Sequence, residues 1–232
     1  SVGSIGWINL YIGEFEEALR WMKKTVALNP TNPFCYNGVG AIYLDLGDDI
    51  NAEEWFNKAL ELQPDSTYAH ACLSYIYLAQ GKYQQAIERA QKILSIHPDD
   101  LVCLYAVGYV ELFQGNYAQV EKYWQNAITI FSTEAGVRLG MRHTTVALAY
   151  IYWKTGKQDD AQKMFDQSLD LARKELEQGS ERDSVLFDLA TINAILGNKT
   201  EAYRWLQQAI DAGWRDYRWA LIDPRLENLR ND

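Results

Sequence analysis

Apolar residues recur along the chain at helical spacing, in short blocks that glycines interrupt. Tyr36, Val39, Tyr43 and Leu46 precede Gly47, and Phe56, Leu60 and Leu62 follow it. Positions three and four apart fall on one face of a helix, so each such pair of blocks predicts a helix, a glycine turn and a second helix. The interrupting glycines are Gly13, Gly47, Gly81, Gly115, Gly156 and Gly197, at intervals of 34, 34, 34, 41 and 41 residues. Five residues after each stands a small side chain (Ala18, Ala52, Ala86, Val120, Ala161, Ala202). Seven before each stands a second (Gly6, Gly40, Ser74, Gly108, Ala149, Ala190). Small residues at both places allow the two helices of a hairpin to touch. Pro30, Pro64 and Pro98 close the first three blocks, where a missing donor and a restricted preceding residue stop a helix. A period of this length marks an array whose units bury their apolar faces only against neighbours. The fold class is therefore all-α.

The small residues, the turn glycine, the aromatic after it (Phe15, Tyr83, Tyr117) and the closing proline fall in one register. That register resembles the tetratricopeptide repeat family from Ser1 to about Gly213. Asp49, Gln158 and Lys199 depart from it at the aromatic position, and Ser132, Arg173 and Trp214 stand where proline is expected. The resemblance implies a right-handed α-solenoid of six helical hairpins, at about residues 1–32, 33–66, 67–100, 101–141, 142–182 and 183–213. A C-terminal cap over 214–232 follows. The 41-residue spacings carry seven extra residues, about two helical turns. They predict longer second helices in the fourth and fifth hairpins. After Asp166 the pattern continues through Leu169, Leu171, Ala172 and Leu176 to Gly179. After Asn126 the alternative is a structured loop around residues 134–141.

In tetratricopeptide arrays the first helices line a concave side that holds a segment of a partner. The resemblance thus implies a protein-interaction scaffold with a protein or peptide partner. Tracing that face at the repeat interval gives Trp7, Ala41, Tyr75, Tyr109, Tyr150 and Thr191, with Asn37, Ala71, Tyr105, Val146 and Phe187 preceding them. Phe34, Tyr68, Val102, His143 and Ser184 come before those, and Leu10, Leu44, Leu78, Leu112, Trp153 and Ala194 lie one turn beyond. The expected groove is aromatic and neutral, with Trp7, Tyr11, Asn37, Tyr68, Tyr75, Tyr105, Tyr109, Tyr150 and Trp153 as candidate peptide-binding residues. Tyrosine suits such a surface because it offers area at low entropy cost together with a polar tip. The same spacing also suits rings that fill gaps between hairpins. Family members that clamp a chaperone's C-terminal carboxylate carry Lys and Asn on these faces. Tyr, Val, Ala and Phe stand there instead, so that ligand is not expected. Trp21, Trp55 and Trp205 recur on the second helices, where burial between hairpins is favoured over a convex patch.

Composition narrows the function further. A net charge of −9 over 232 residues opposes broad contact with a nucleic-acid backbone. No apolar run approaches the ~20 residues a membrane span requires. No signal segment opens the chain, and a beginning inside a helix reads as the start of a fragment. A cytoplasmic location is expected unless the parent protein is membrane-anchored. Cys35, Cys72 and Cys103 form no paired motif, and His70, His97 and His143 show no ligand spacing, so no disulfide framework, metal or cofactor is expected. Asp48-Asp49, Asp99-Asp100 and Asp159-Asp160 fall at turns or helix starts and read as caps. No phosphate-binding, hydrolase or zinc-protease motif is present, and the chain is not expected to be an enzyme. The sequon Asn198-Lys199-Thr200 matters only in a secreted eukaryotic protein.

The tail "DAGWRDYRWALIDPRLENLRND" leaves the repeat. Gly213 reads as a helix stop and Asp223-Pro224 as a capped helix start. Asp223, Pro224, Leu229 and Arg230 resemble the ends of tetratricopeptide regions in bacterial multidomain signalling proteins with cyclase, kinase or winged-helix output domains. That likeness suggests, as an alternative, a regulatory or sensor region with its output domain outside this chain. The tail is expected to cover the last hairpin rather than reach the groove. Trp214, Tyr217, Trp219, Leu221, Ile222, Leu226 and Leu229 are assigned to its inner side, and Arg215, Asp216, Arg218, Arg225, Glu227 and Arg230 to its outer side.

Overall fold

The computed structural model describes residues 2–133, 138–179 and 183–230, without the side chains of residues 2, 11, 131–133 and 138–143. It is all-helical, with no strand among the described residues. Among the described residues twelve α-helices form six hairpins: α1 (Val2–Tyr11) with α2 (Phe15–Leu28), α3 (Pro33–Asp45) with α4 (Asp49–Leu62), and α5 (Thr67–Ala79) with α6 (Tyr83–Leu94). Then come α7 (Leu101–Phe113) with α8 (Tyr117–Thr133), α9 (Arg138–Lys154) with α10 (Gln158–Glu177), and α11 (Asp183–Ile195) with α12 (Lys199–Asp211). A short helix, α13 (Tyr217–Ile222), and a 3-10 helix, Pro224–Leu229, complete the chain. This is the α-solenoid class of tetratricopeptide hairpins. The chain divides into an N-terminal unit, Ser1–Val107, and a C-terminal unit, Gly108–Asp232.

Local chemistry sets the helix ends. Asn32 accepts from the Phe34 N–H at 3.1 Å ahead of Pro33, and Asp48 accepts from the Asn51 N–H at 3.1 Å. Hydrogen bonds from the Asn51 side chain and backbone hold the Asp48 carboxyl below its usual range. Asp100 caps α7 by accepting from the Cys103 N–H at 2.9 Å. The Asp48 and Asp100 carboxylates thus serve as the caps their positions predict. At the turns a left-handed residue closes the first helix. Gly47 takes φ 78°, and its neighbour Asp48 donates to the Tyr43 carbonyl at 2.9 Å, satisfying a helix-end acceptor.

The two small-residue series meet inside the hairpins. Ser74 donates to the Ala86 carbonyl at 2.8 Å, joining them directly. Elsewhere a glycine on the first helix faces a large side chain on the second: Gly6 faces Met22, Gly40 faces Phe56, and Gly108 faces Trp124, while Gly38 meets the same Met22 from the next hairpin. Met22, Phe56 and Trp124 are fully buried, each contributing about 1.5–3 kcal/mol through the area removed from water. Glycine there leaves room for a ring or thioether, so hairpin volume is conserved while the side chains vary.

The extra residues of the 41-residue spacings are helical where they are described. α10 runs 20 residues, as its uninterrupted pattern predicts. After Asn126 the extra length is shared, because α8 extends to Thr133 and α9 begins at Arg138. Residues 138–141 of the alternative loop are thus helical, and residues 134–137 lie outside the described residues. Trp21, Trp55 and Trp205 are half-buried rather than enclosed. Basic side chains lie over their rings: Arg20 and Lys24 over Trp21, Lys58 over Trp55, and Arg204 over Trp205. Cations next to each indole in sequence or three residues after it thus cover rings that the hairpin interfaces only partly enclose.

His70 is fully buried, and one of its ring nitrogens lies 3.0 Å from the Pro64 carbonyl. Burial lowers its pKa, opposed by that hydrogen bond. A base whose folded pKa is depressed favours the unfolded chain once it is protonated. Stability is therefore expected to be full at pH 7.5 and to fall as pH drops below the unfolded histidine range of about 6.5. Thermal melts at pH 7.5 and pH 5 measure the fall. A His70→Gln chain should show a smaller difference, and an unchanged difference would rule out His70 as its source.

Candidate functional site

Two surfaces bring together the aromatic positions of the first helices. In the N-terminal unit, Trp7 of α1, Phe34 and Asn37 of α3 and Tyr68 of α5 line a cavity of about 480 Å³. Trp7 and Phe34 are tilted with ring centroids 5.6 Å apart, and Tyr68 meets Phe56 edge-on at 6.2 Å. Phe34 is 55% and Tyr68 43% exposed, a large unburied area for two neighbouring aromatic rings. Asn37 is buried and donates through Nδ2 to Ser66 Oγ at 3.4 Å. Its Oδ1, and Trp7 Nε1, have no hydrogen-bond partner among the described residues. Unpaired buried polar atoms are uncommon in folded chains and cost about 1–3 kcal/mol each.

In the C-terminal unit the corresponding face is occupied by the chain itself. Trp214 stacks on Phe187 of α11 at 4.5 Å, and Trp219 meets Tyr109 and Phe113 of α7, each at 5.1 Å. The Arg225 guanidinium lies over the Tyr109 ring at 5.6 Å. Glu227 pairs with Lys154 of α9 at 2.5 Å, Asn228 donates to the Ala194 carbonyl of α11 at 2.9 Å, and Tyr203 of α12 donates to the Leu229 carbonyl at 3.0 Å. The tail thus covers the last hairpin and also reaches the first helices α7 and α9. This corrects the expectation that it would stay off the groove face. The reason is local: Tyr109 and Phe113 form an aromatic notch for Trp219 that the last hairpin does not supply.

The inner and outer assignments of the tail change as well. Arg225, assigned to the outer side, is 3% exposed, while Tyr217 and Leu221, assigned to the inner side, are 49% and 71% exposed. Arg225 enters the interior because Asp223 goes with it. Arg225 Nε and Nη2 donate to the Asp223 carboxylate at 3.0 and 2.6 Å, and the same carboxylate caps the 3-10 helix through the Arg225 N–H at 2.9 Å. Burial works against the Arg225 cation, but the charge and hydrogen bonds of Asp223, with the charge of Asp188, outweigh it and hold its pKa above the ordinary value. Burial also raises the Tyr109 and Tyr150 hydroxyls.

Tetratricopeptide repeat profiles match residues 33–66, 55–88, 99–174 and 141–212. The chain belongs to the tetratricopeptide repeat family. No curated protein matches it. A tetratricopeptide repeat protein from Parabacteroides merdae is 17% identical over 98% of this chain and 82% of its own, with a TM-score of 0.65. MamA from Desulfovibrio magneticus is 21% identical over 75% of this chain and 94% of its own, at 0.58. The APC/C hetero-tetramer Cut9-Hcn1 contains a chain matched at 18% identity, covering 97% of this chain and 42% of that one, at 0.71. At these identities the likeness is one of fold. Tetratricopeptide repeat proteins serve as protein-interaction scaffolds.

Within this member of the family the candidate residues separate. Trp7, Asn37 and Tyr68 share the cavity in the N-terminal unit. The Tyr11 side chain lies outside the described residues. Tyr75 and Tyr105 are half-buried, on α5 and α7. Tyr109 lies beneath the tail, Tyr150 is 3% exposed against Tyr117, and Trp153 stays partly open beside Phe165. Phe113, Lys154 and Asp188 escaped sequence reasoning. Their involvement depends on where the tail docks, for which no periodic signal exists. Burial raises the Cys72 and Cys103 thiols to about 12, far from the thiolate state that nucleophilic or metal chemistry requires. Among the described residues no group of three His, Cys, Asp or Glu side chains is placed to hold a metal, and no described helix is long and apolar enough to cross a membrane.

Proposed function

We propose that the chain is a protein-interaction scaffold that binds a peptide segment in the cavity lined by Trp7, Phe34, Asn37 and Tyr68. The observation that carries this reading is the cavity itself, with two widely exposed rings beside a buried amide. Exposed aromatic rings around a concavity are the groups that dominate interface energies, because they remove much area from water at small entropic cost. The unpaired Asn37 Oδ1 and Trp7 Nε1 add an acceptor and a donor. A small turn of either side chain would present that group to a main-chain amide of the occupant. The neutral lining favours an apolar or mixed segment over an acidic tail. The chain matched in the Cut9-Hcn1 hetero-tetramer belongs to an assembly with a second protein, which accords with a scaffold role.

Peptides selected from a random displayed library against the wild-type chain test the site. The Phe34→Ala/Tyr68→Ala chain should melt within a few degrees of wild type, since about half of each side chain is already in water. It should bind the selected peptides about 10- to 100-fold more weakly, the range spanned by one or two hot-spot residues. Equal affinity for both chains would place the binding surface elsewhere.

A further inference from the structure

The face that receives the tail includes one buried carboxylate. Asp188 of α11 is 1% exposed, and its charge acts on both the Arg225 guanidinium and the Tyr109 hydroxyl. Around it, Tyr109 and Phe113 hold one indole, Phe187 stacks on another, and Lys154 meets a carboxylate. We propose that this face is a recognition site for a segment bearing tryptophan and arginine, and that residues 214–230 occupy it as a reversibly bound ligand of their own chain. The assignment is independent of the cavity in the N-terminal unit.

Two features distinguish a ligand from a fixed cap. First, the buried ion pair lies wholly within the tail. Asp223 and Arg225 are two residues apart and leave together, so undocking does not split them. Their hydration is regained on release, and that term opposes docking. Arg225 Nη1 has no hydrogen-bond partner among the described residues, so the docked state also leaves a guanidinium donor unsatisfied. Second, the docked tail leaves Tyr217 and Leu221 49% and 71% exposed beside its solvent-facing Arg215, Asp216 and Glu227, so part of its apolar area gains nothing from docking. Docking then rests on Trp214, Trp219 and Leu226, which are buried, and on recognition of the Arg225 cation over Tyr109 near Asp188.

A fluorescent synthetic peptide of residues 212–232, titrated against the full chain and against the full Trp219→Ala chain, tests the assignment. In the wild type the tethered tail competes at an effective concentration near millimolar and keeps the labelled peptide out. Weakening the tethered copy should raise the affinity for the free peptide by about tenfold or more. Peptides carrying Trp219→Ala or Arg225→Ala should bind neither chain. A Trp219→Ala chain that keeps its melting transition but takes up no peptide would overturn the proposal. So would wild-type dimers that the free peptide dissociates, since the occupant would then be the tail of a second copy. If the Trp219→Ala chain does not fold, hydrogen exchange on the wild type decides. Amides of 217–229 should exchange well ahead of those in α11 and α12, and equal protection would make the tail part of the core.

Discussion

Replacing Gly108 with alanine is expected to destabilise the C-terminal unit by roughly 3 kcal/mol, the upper part of the usual range for overpacking a filled core. A β-carbon at this position would stand 2.6 Å from both Cδ1 and Cε2 of Trp124, and nearer still to its Nε1. Carbon atoms are at their optimum near 3.5–4.0 Å, so about an ångström must be found. Trp124 is fully buried, and Tyr109 meets it edge-on at 5.2 Å, so the indole has no free direction. Alanine gains about 1 kcal/mol over glycine in a helix interior, which is too little to reverse the sign. Gly38 provides the contrast. A β-carbon there would approach Met22 Sδ at 2.8 Å and Cε at 2.9 Å, the far end of a flexible side chain that can turn aside. Gly38→Ala should therefore cost less. Thermal unfolding of the two chains measures this, with a drop of roughly 5–10 °C expected for Gly108→Ala. Equal melting temperatures would show that Trp124 has room to move.

The second large effect is expected at Asp223, which is fully buried. Its carboxylate neutralises Arg225 through Nε and Nη2 and also caps the 3-10 helix. Asp223→Ala leaves a buried guanidinium without its partner, a loss of about 3–5 kcal/mol, and removes a cap worth about 1 kcal/mol. The chain has one escape, which is to release the tail and return Arg225 to water. The loss is then limited to the free energy of docking, and the readout is local. Limited proteolysis should cut within residues 214–230 of Asp223→Ala under conditions that spare the wild type, while the far-ultraviolet helical signal is largely kept. A double Asp223→Ala/Arg225→Met chain should recover part of the protection, because it removes the unpaired buried charge while forgoing the Arg225 contact with Tyr109. Failure of the double variant to recover would mean that the cap, rather than the ion pair, holds the tail.

These two positions show where sequence reasoning stops. Gly108 was legible as one member of a small series, since its spacing from Gly115 repeats that of Gly6 from Gly13 and Gly40 from Gly47. That Trp124 fills the space it leaves, as Phe56 does at Gly40, required the two helices to be seen together. An arginine without a partner is costly to bury, so the sequence alone places Arg225 toward solvent. The pairing that overrides this rule lies only two residues away, but it matters only once the segment has a surface to enter.

The sequence by itself determined the hairpins, because their causes are local. Helical spacing, turn glycines, capping side chains and closing prolines act within a few residues of one another, and a 34-residue period repeats them. It also determined that the first helices carry aromatic rings at equivalent positions. Only the tertiary structure decided that these positions are not equivalent. Trp7, Phe34, Asn37 and Tyr68 line an open cavity, whereas Tyr109 and Phe113 lie under Trp219 and Tyr109 under Arg225 as well. Periodicity states which face of a helix a residue occupies, while the area removed from water at that face depends on which distant segment docks there. For α7 that segment begins a hundred residues later in the chain, beyond the reach of any local rule.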